Sequence, residues 1–275
     1  MEIKRFLHIL ASWLLAVIMA STLHIGHVNA SQEAKPAKIA IILDDIGGKP
    51  SDINAFGLPT LVTFSILPNT DYSTRYSYLA ANQDREVMLH MPMESLHGEK
   101  LGPYPLMSTM YPQEQIRNLT WALNNVPHAV GINNHMGSKL TQITLSMRTV
   151  MEVLAQKNLF FIDSLTTKFS RAHYIAEDFG VKYATRHIFL DHEKSEAFVT
   201  QQFERLISIA REQGVAIGIA HPYRLTLDIL PKLIERLPKD VEMVTVNSLM
   251  SNNTNLIARD AVSEPQLQSL KFAPK

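Results

Sequence analysis

Short apolar runs that each end on an aspartate or a histidine recur along the chain, separated by longer amphipathic stretches. Lys38–Leu43 ends in Asp44-Asp45, Val87–Leu89 in His90, and Val130–Asn134 in His135. Leu159–Ile162 ends in Asp163, Ile188–Leu190 in Asp191, and Val215–Ala220 in His221. Runs of this length suit strands, and the intervening segments have a helical period, so strands alternate with helices around a parallel sheet. In such folds the chemistry gathers at the carboxyl ends of the strands. Three His and several Asp delivered there from distant parts of the chain point to a metal-dependent hydrolase.

Strands are expected at Lys38–Leu43, Leu61–Leu67, Glu86–Leu89, Val130–Asn134, Leu159–Ile162, His187–Leu190, Val215–Ala220 and Val241–Val246. Helices are expected at Tyr72–Asn82, Pro112–Asn125, Thr141–Asn158, Ala172–Phe179, Ser195–Gln213 and Leu225–Arg236, with a short one capped by Ser51-Asp52. Pro112 suits a first helical position, and Gly180 and Gly214 suit C-terminal caps. The fold class is therefore α/β, a single-domain distorted (β/α) barrel of seven to eight parallel strands, closed or partly open. Met91–Tyr111 interrupts the pattern with Pro92, Gly98, Gly102, Pro103 and Pro105. An irregular connection of that length in a compact domain is usually functional.

Residues 1–30 are expected to lie outside the fold. Lys4-Arg5 precede an apolar segment from Phe6 to Leu23, and Val28-Asn29-Ala30 offers small residues at a cleavage position before Ser31. This is the pattern of a signal peptide cleaved near Ala30, which implies export to the periplasm or the exterior. An uncleaved membrane anchor is the competing reading and would be the only membrane association. Residues 31–37 form a flexible lead-in, 38–250 the barrel, and 251–275 a polar tail. The 26 Lys+Arg balance the 26 Asp+Glu, with no basic run to hold nucleic acid. There is no cysteine, so any metal must be held by imidazole and carboxylate.

Asp44 and Asp45 close an apolar strand, so one can bind metal while the other faces substrate. His90 and His135 stand at strand ends, and two imidazoles with one carboxylate make a three-ligand set suited to zinc. His221, before Pro222, is the candidate general acid, and Asp163 is placed to orient it. Asp191 has a weaker claim, since Arg186 nearby could pair with it. Glu94 and Asn134, neighbours of these histidines, and Tyr104 and Tyr111 of the long loop are candidate substrate contacts. No Gly-x-Ser-x-Gly elbow, P-loop or Gly-x-Gly-x-x-Gly stretch occurs.

The segments Ile41–Gly47, Leu89–Glu94, Asn133–Ser138, Phe161–Ser164, Val181–Asp191 and Ala220–Pro222 together resemble the divergent polysaccharide deacetylase family, the YibQ-like group. That group is similar to the family 4 carbohydrate esterases, which remove acetyl groups from polysaccharides on a distorted barrel. The resemblance implies Asp44 as general base, Asp45 as metal ligand and His221 as the late catalytic histidine. It implies a zinc-dependent deacetylase acting on the carbon–nitrogen amide bond of a polysaccharide or peptidoglycan-like glycan. Those esterases carry His-x-x-x-His in one motif, whereas Glu94 stands four residues after His90 here. His135 is then expected to supply the missing imidazole. The departure keeps a second reading open, a catalytically degenerate glycan- or envelope-binding protein on the same fold.

Overall fold

The computed structural model describes residues 35–252 and 255–256. The expected signal peptide lies outside the described residues, as do most of the lead-in and of the polar tail.

Strands are β1 Ala37–Ile46, β2 Thr63–Ile66, β3 Val87–Met93, β4 Ala129–Met136 and β5 Phe160–Asp163. They continue with β6 Tyr183–Thr185, β7 Ile188–Phe189, β8 Val215–Ala220, β9 Val241–Met243 and β10 Asn255–Leu256. Every pairing is parallel, in the order β10-β6-β5-β4-β3-β2-β1-β8-β7, with β9 against the start of β1. Helices are α1 Ser73–Ala81, α2 Pro112–Asn125, α3 Thr144–Lys157, α4 Ala172–Asp178, α5 Glu196–Gln213, α6 Arg224–Glu235 and α7 Val246–Asn252.

The seam lies between β6 and β7, consecutive in the chain but far apart along the sheet: β7 ends its main path and β6 has only the two-residue β10 beyond it. Arg186 N–H donates to Asp163 O on β5 at 2.9 Å, and His187 N–H donates to Ile217 O on β8 at 2.9 Å. Consecutive Cα atoms are about 3.8 Å apart, so these adjacent residues bring the two edges together. Strands β1–β8 therefore curl into the distorted (β/α) barrel that the alternating pattern implies.

Side-chain alternation sorts the core into two layers. Ile39, Ile41 and Leu43 of β1 face outward and pack with helix residues such as Leu119, Leu154 and Leu206. Ala40, Ile42, Met88, Phe160, Ile162, Ala184, Ile217 and Ile219 face inward and fill the barrel. Val246, Leu249 and Met250 of α7 join this inner cluster at the amino-terminal ends of the strands. The opposite, carboxyl end carries the polar residues. Helix α5 shows the local logic. The Ser195 hydroxyl accepts the Phe198 N–H, Gly214 ends the helix at φ +86°, and Val199, Phe203, Leu206 and Ala210 form the buried stripe.

Several boundaries depart from the sequence pattern. β1 runs on through Asp44-Asp45 to Ile46 and β3 through His90 to Met93, because these residues too are largely buried and keep pairing with the neighbouring strands. β6 has no long apolar run to announce it. The expected eighth strand is split, since Val246 leaves β9 and starts α7.

Candidate metal centre

Inward parity carries Asp44 into the barrel behind Ala40 and Ile42, where it is buried. A regular strand would send Asp45 the other way, with Ile41 and Leu43. Instead, the β1–β2 register slips by one residue between Leu43 and Ile46. Asp45 takes φ +60° within this slip, a left-handed conformation that Asp tolerates at a cost of roughly 1–2 kcal/mol. The bulge lets two consecutive carboxylates reach the same mouth.

His90 follows inward-facing Met88 on β3, and His135 follows Asn133 on β4. β4 reaches this register through an extra residue between Ala129 and Ile132. Gly131 lies in that irregular stretch, and a Cβ there would stand 2.3 Å from the Phe160 ring.

Asp45 Oδ1 stands 3.3 Å from His90 Nε2 and 3.1 Å from His135 Nδ1, and those two nitrogens are 3.1 Å apart. A tetrahedral zinc with bonds of about 2.0–2.2 Å would hold its ligand atoms about 3.3–3.6 Å apart. The triangle nearly meets that span. Asp45 Oδ1 is buried without a well-aligned hydrogen bond, although two ring nitrogens face it. An acceptor left in that state is costly unless something cationic completes it. The residues present therefore fit a divalent ion.

Asn133, fully buried, ties the ligands to the base. Its Oδ1 lies 2.7 Å from His90 Nδ1 and accepts the Ser65 hydroxyl at 2.6 Å, while its Nδ2 donates to Asp44 Oδ1 at 2.8 Å. With Nδ1–H donating to Asn133, His90 presents the Nε2 lone pair to the centre. Sequence reasoning missed Asn133 because an amide inside an apolar run reads as a solvated strand end. Its inward parity with His135 was the available signal.

His221 continues the inward parity of Ile217 and Ile219. Its Nδ1 lies 2.8 Å from Asp191 Oδ1, its backbone N–H donates to Asp191 Oδ2 at 2.7 Å, and Thr226 donates to the same oxygen at 2.8 Å. Asp191 thus holds His221, in place of Asp163. Asp163 shares the outward parity of Phe161 and accepts the Leu165 N–H at 2.8 Å. Arg186 does not pair with Asp191. It donates to the Ser164 and Leu165 carbonyls at 2.8 and 3.1 Å and lies 3.8 Å over the Phe189 ring.

Three of the expected substrate contacts are engaged elsewhere. Glu94 pairs with Lys139 Nζ at 2.7 Å and accepts the Ser108 N–H at 2.6 Å, so it braces the long loop. Asn134 spends its amide on Met136 O and the Ser164 N–H, at 2.6 and 2.9 Å. Tyr104 stacks on Trp121 of α2, with centroids 4.3 Å apart. Tyr111, at the start of α2, is 76% exposed and remains available.

Burial pushes the Asp44 carboxyl above its ordinary range, against the opposing pull of His90, His221 and Asn133. Asp45 is held well below that range: burial opposes its charge, but His135 and His90 outweigh burial. Burial likewise disfavours the charged form of His90, yet Asp44 and Asp45 raise it to about 9 in the absence of a cation. His221 is also raised, with burial overcome chiefly by its bond to Asp191. A carboxylate of raised basicity and an imidazole whose protonated form is favoured thus share one mouth, the pairing that general base and general acid catalysis uses.

Comparison with known proteins places the chain. The divergent polysaccharide deacetylase pattern matches residues 41–250. An uncharacterised Escherichia coli protein, YibQ, is 38% identical over 215 residues, 78% of this chain and 67% of that one. An uncharacterised Haemophilus influenzae protein is 36% identical over 217 residues, 78% of each. In three dimensions an uncharacterised Agrobacterium tumefaciens protein superposes with a TM-score of 0.75 at 23% identity, over 79% of this chain and 90% of that one. An Enterococcus faecalis protein described as a putative cellobiose-phosphate cleavage protein gives 0.57 at 12% identity, over 78% and 99%. With the matched segment running from the first strand through the His221 strand end to α7, the chain belongs to the divergent polysaccharide deacetylase family.

Proposed function

We propose that the protein is an exported, metal-dependent hydrolase that removes N-acetyl groups from a polysaccharide or cell-wall glycan. The observation that carries this reading is the converging triangle of Asp45, His90 and His135, with Asp44 on one side and the Asp191-held His221 close enough for their charges to interact.

A divalent ion held by that triangle, zinc being the best match to two imidazoles and a carboxylate, would polarise the acetyl carbonyl and acidify water. Asp44 would accept the proton of the attacking water. Asn133 fixes one Asp44 oxygen and leaves the other toward the centre, 3.6 Å from His90 Nε2. His221 has its Nδ1 committed to Asp191, so its Nε2 is the nitrogen free to protonate the departing amine. Asp44 and His221 are both largely screened from solvent, which strengthens the interaction between their charges.

The test is an acetate-release screen on the mature protein with acetylated chitin-like and peptidoglycan fragments, with added zinc and with chelator. Zinc-dependent release supports the hydrolase. Glycan binding that persists in Asp44→Asn with no acetate released from any fragment would favour the degenerate binding protein instead.

A further inference from the structure

His221 sits in a column of rings capped by cations at both ends. The Arg186 guanidinium lies 3.8 Å over Phe189, whose ring stacks toward His221 at 6.0 Å. On the other side Tyr223 lies 5.5 Å from His221, with Lys194 Nζ 3.9 Å over its ring. The two cations therefore flank the residue expected to face the leaving amine.

Arg186 is unusually fixed. One N–H of Nε and one of Nη2 are spent on the Ser164 and Leu165 carbonyls, and the Phe189 face supports the plane. Nη1 makes no hydrogen bond among the described residues, and neither Arg186 nor Lys194 forms a contact ion pair there; the buried Asp163 and Asp44 carboxylates act on the Arg186 charge only from a distance. Arg186 lies just past the carboxyl end of β6, one residue beyond Thr185, which pairs with Asp163 at the carboxyl end of β5. The nearby loops carry a positive excess at the surface. Those after β5 and β7 carry Lys168, Arg171 and Lys194 against Glu193 as their one exposed acid. A guanidinium with a free edge, immobilised beside an acyl-transfer centre, matches the planar fork of a carboxylate.

We propose that Arg186, seconded by Lys194, is a specificity site for a carboxylate borne by the acetylated sugar, so that the preferred glycan is an anionic one. This rests on the glycan reading above, but a binding measurement can separate the two. The roles differ accordingly: Arg186 contacts the ligand rigidly, while Lys194, exposed on a flexible stem, adds charge.

The experiment is calorimetric titration of the zinc-loaded Asp44→Asn protein with two oligosaccharides that differ only in a carboxylate on the acetylated residue. The carboxylated ligand should bind about 10-fold or more tightly, a preference that shrinks as salt is raised. Arg186→Gln should bring the two affinities close to one another, and Lys194→Gln, a surface change that leaves folding intact, should reduce the preference by a few-fold. Arg186→Lys, keeping charge without the fork, should retain part of it. Equal affinities in the parent protein would overturn the proposal, as would binding of neither ligand. An equal loss for both ligands in Arg186→Gln would also overturn it, because that is the signature of a merely structural arginine. Selective binding with no acetate release from the wild-type protein would support the specificity site and count against the hydrolase alone.

Discussion

Replacing Asp191 by Asn separates the two partners that could hold the catalytic imidazole. Asp191 is fully buried and accepts three hydrogen bonds, two from His221 and one from Thr226. An Asn side chain has one acceptor oxygen and an NH2 group, so at least one of the three donors loses its partner. Leaving a buried donor unmade costs about 1–3 kcal/mol, and for a domain of this size each kcal/mol moves Tm by about 2–4 °C. A drop of roughly 2–12 °C in thermal melting is therefore expected. The kinetic effect should be larger. Burial alone would push His221 toward its neutral form, and the bond to Asp191 leads the forces that raise its pKa. Without that carboxylate the imidazole loses its proton at lower pH, so the alkaline limb of the rate profile moves down. Above that limb turnover should fall by about 10²-fold or more, the usual weight of a lost general acid. Stability has a matching sign. With its folded-state pKa raised, the pair contributes fully below the ordinary His value of about 6.5 and fades as pH rises through the raised value. The assay is kcat/KM against pH for Asp191→Asn and Asp163→Asn, alongside melting curves. An unmoved alkaline limb in Asp191→Asn, with a shifted one in Asp163→Asn, would refute the pairing.

Removing both imidazoles in His90→Ala/His135→Ala should abolish stoichiometric zinc uptake by the purified protein; unchanged metal analysis would move the site elsewhere. Asn133→Ala orphans His90 Nδ1, Asp44 Oδ1 and the Ser65 hydroxyl, so zinc affinity should fall about 10–100-fold, as for other groups that orient ligands. Competition with a chelator measures this, and an unaltered affinity would make Asn133 a bystander. Mass spectrometry of the protein from its native host should find Ser31 or a near neighbour at the N-terminus; an intact Met1 on a membrane-bound form would favour the anchor.

The strand–helix alternation and the strand ends were legible from composition and period alone, because each burying strand must be apolar and each returning helix amphipathic. Val215–Ala220 and Pro112–Asn125 match the expected boundaries, since Gly214 and Pro112 mark them chemically. The residues at the carboxyl ends were legible for the same reason: Asp44, His90, His135 and His221 each stand where a strand-length run of the sequence ends. Parity did not rank Asp191 above Asp163 in the sequence, because both faces of these strands are apolar and only the fold shows that Phe161 faces outward and Phe189 inward. Other features depended on the assembled tertiary structure. A one-residue slip turns Asp45 to the same side as Asp44, and no local signal distinguishes that bulge from a regular strand end. β6 and β7 bond to opposite edges through adjacent residues, a closure set by strands drawn from elsewhere in the chain. Glu94 falls to Lys139 and Ser108 because the long loop folds back on β3. Sequence determines which groups reach the mouth of the barrel, since burial and period are local. Which of them touch is decided by register and closure, because those depend on strands far apart in sequence.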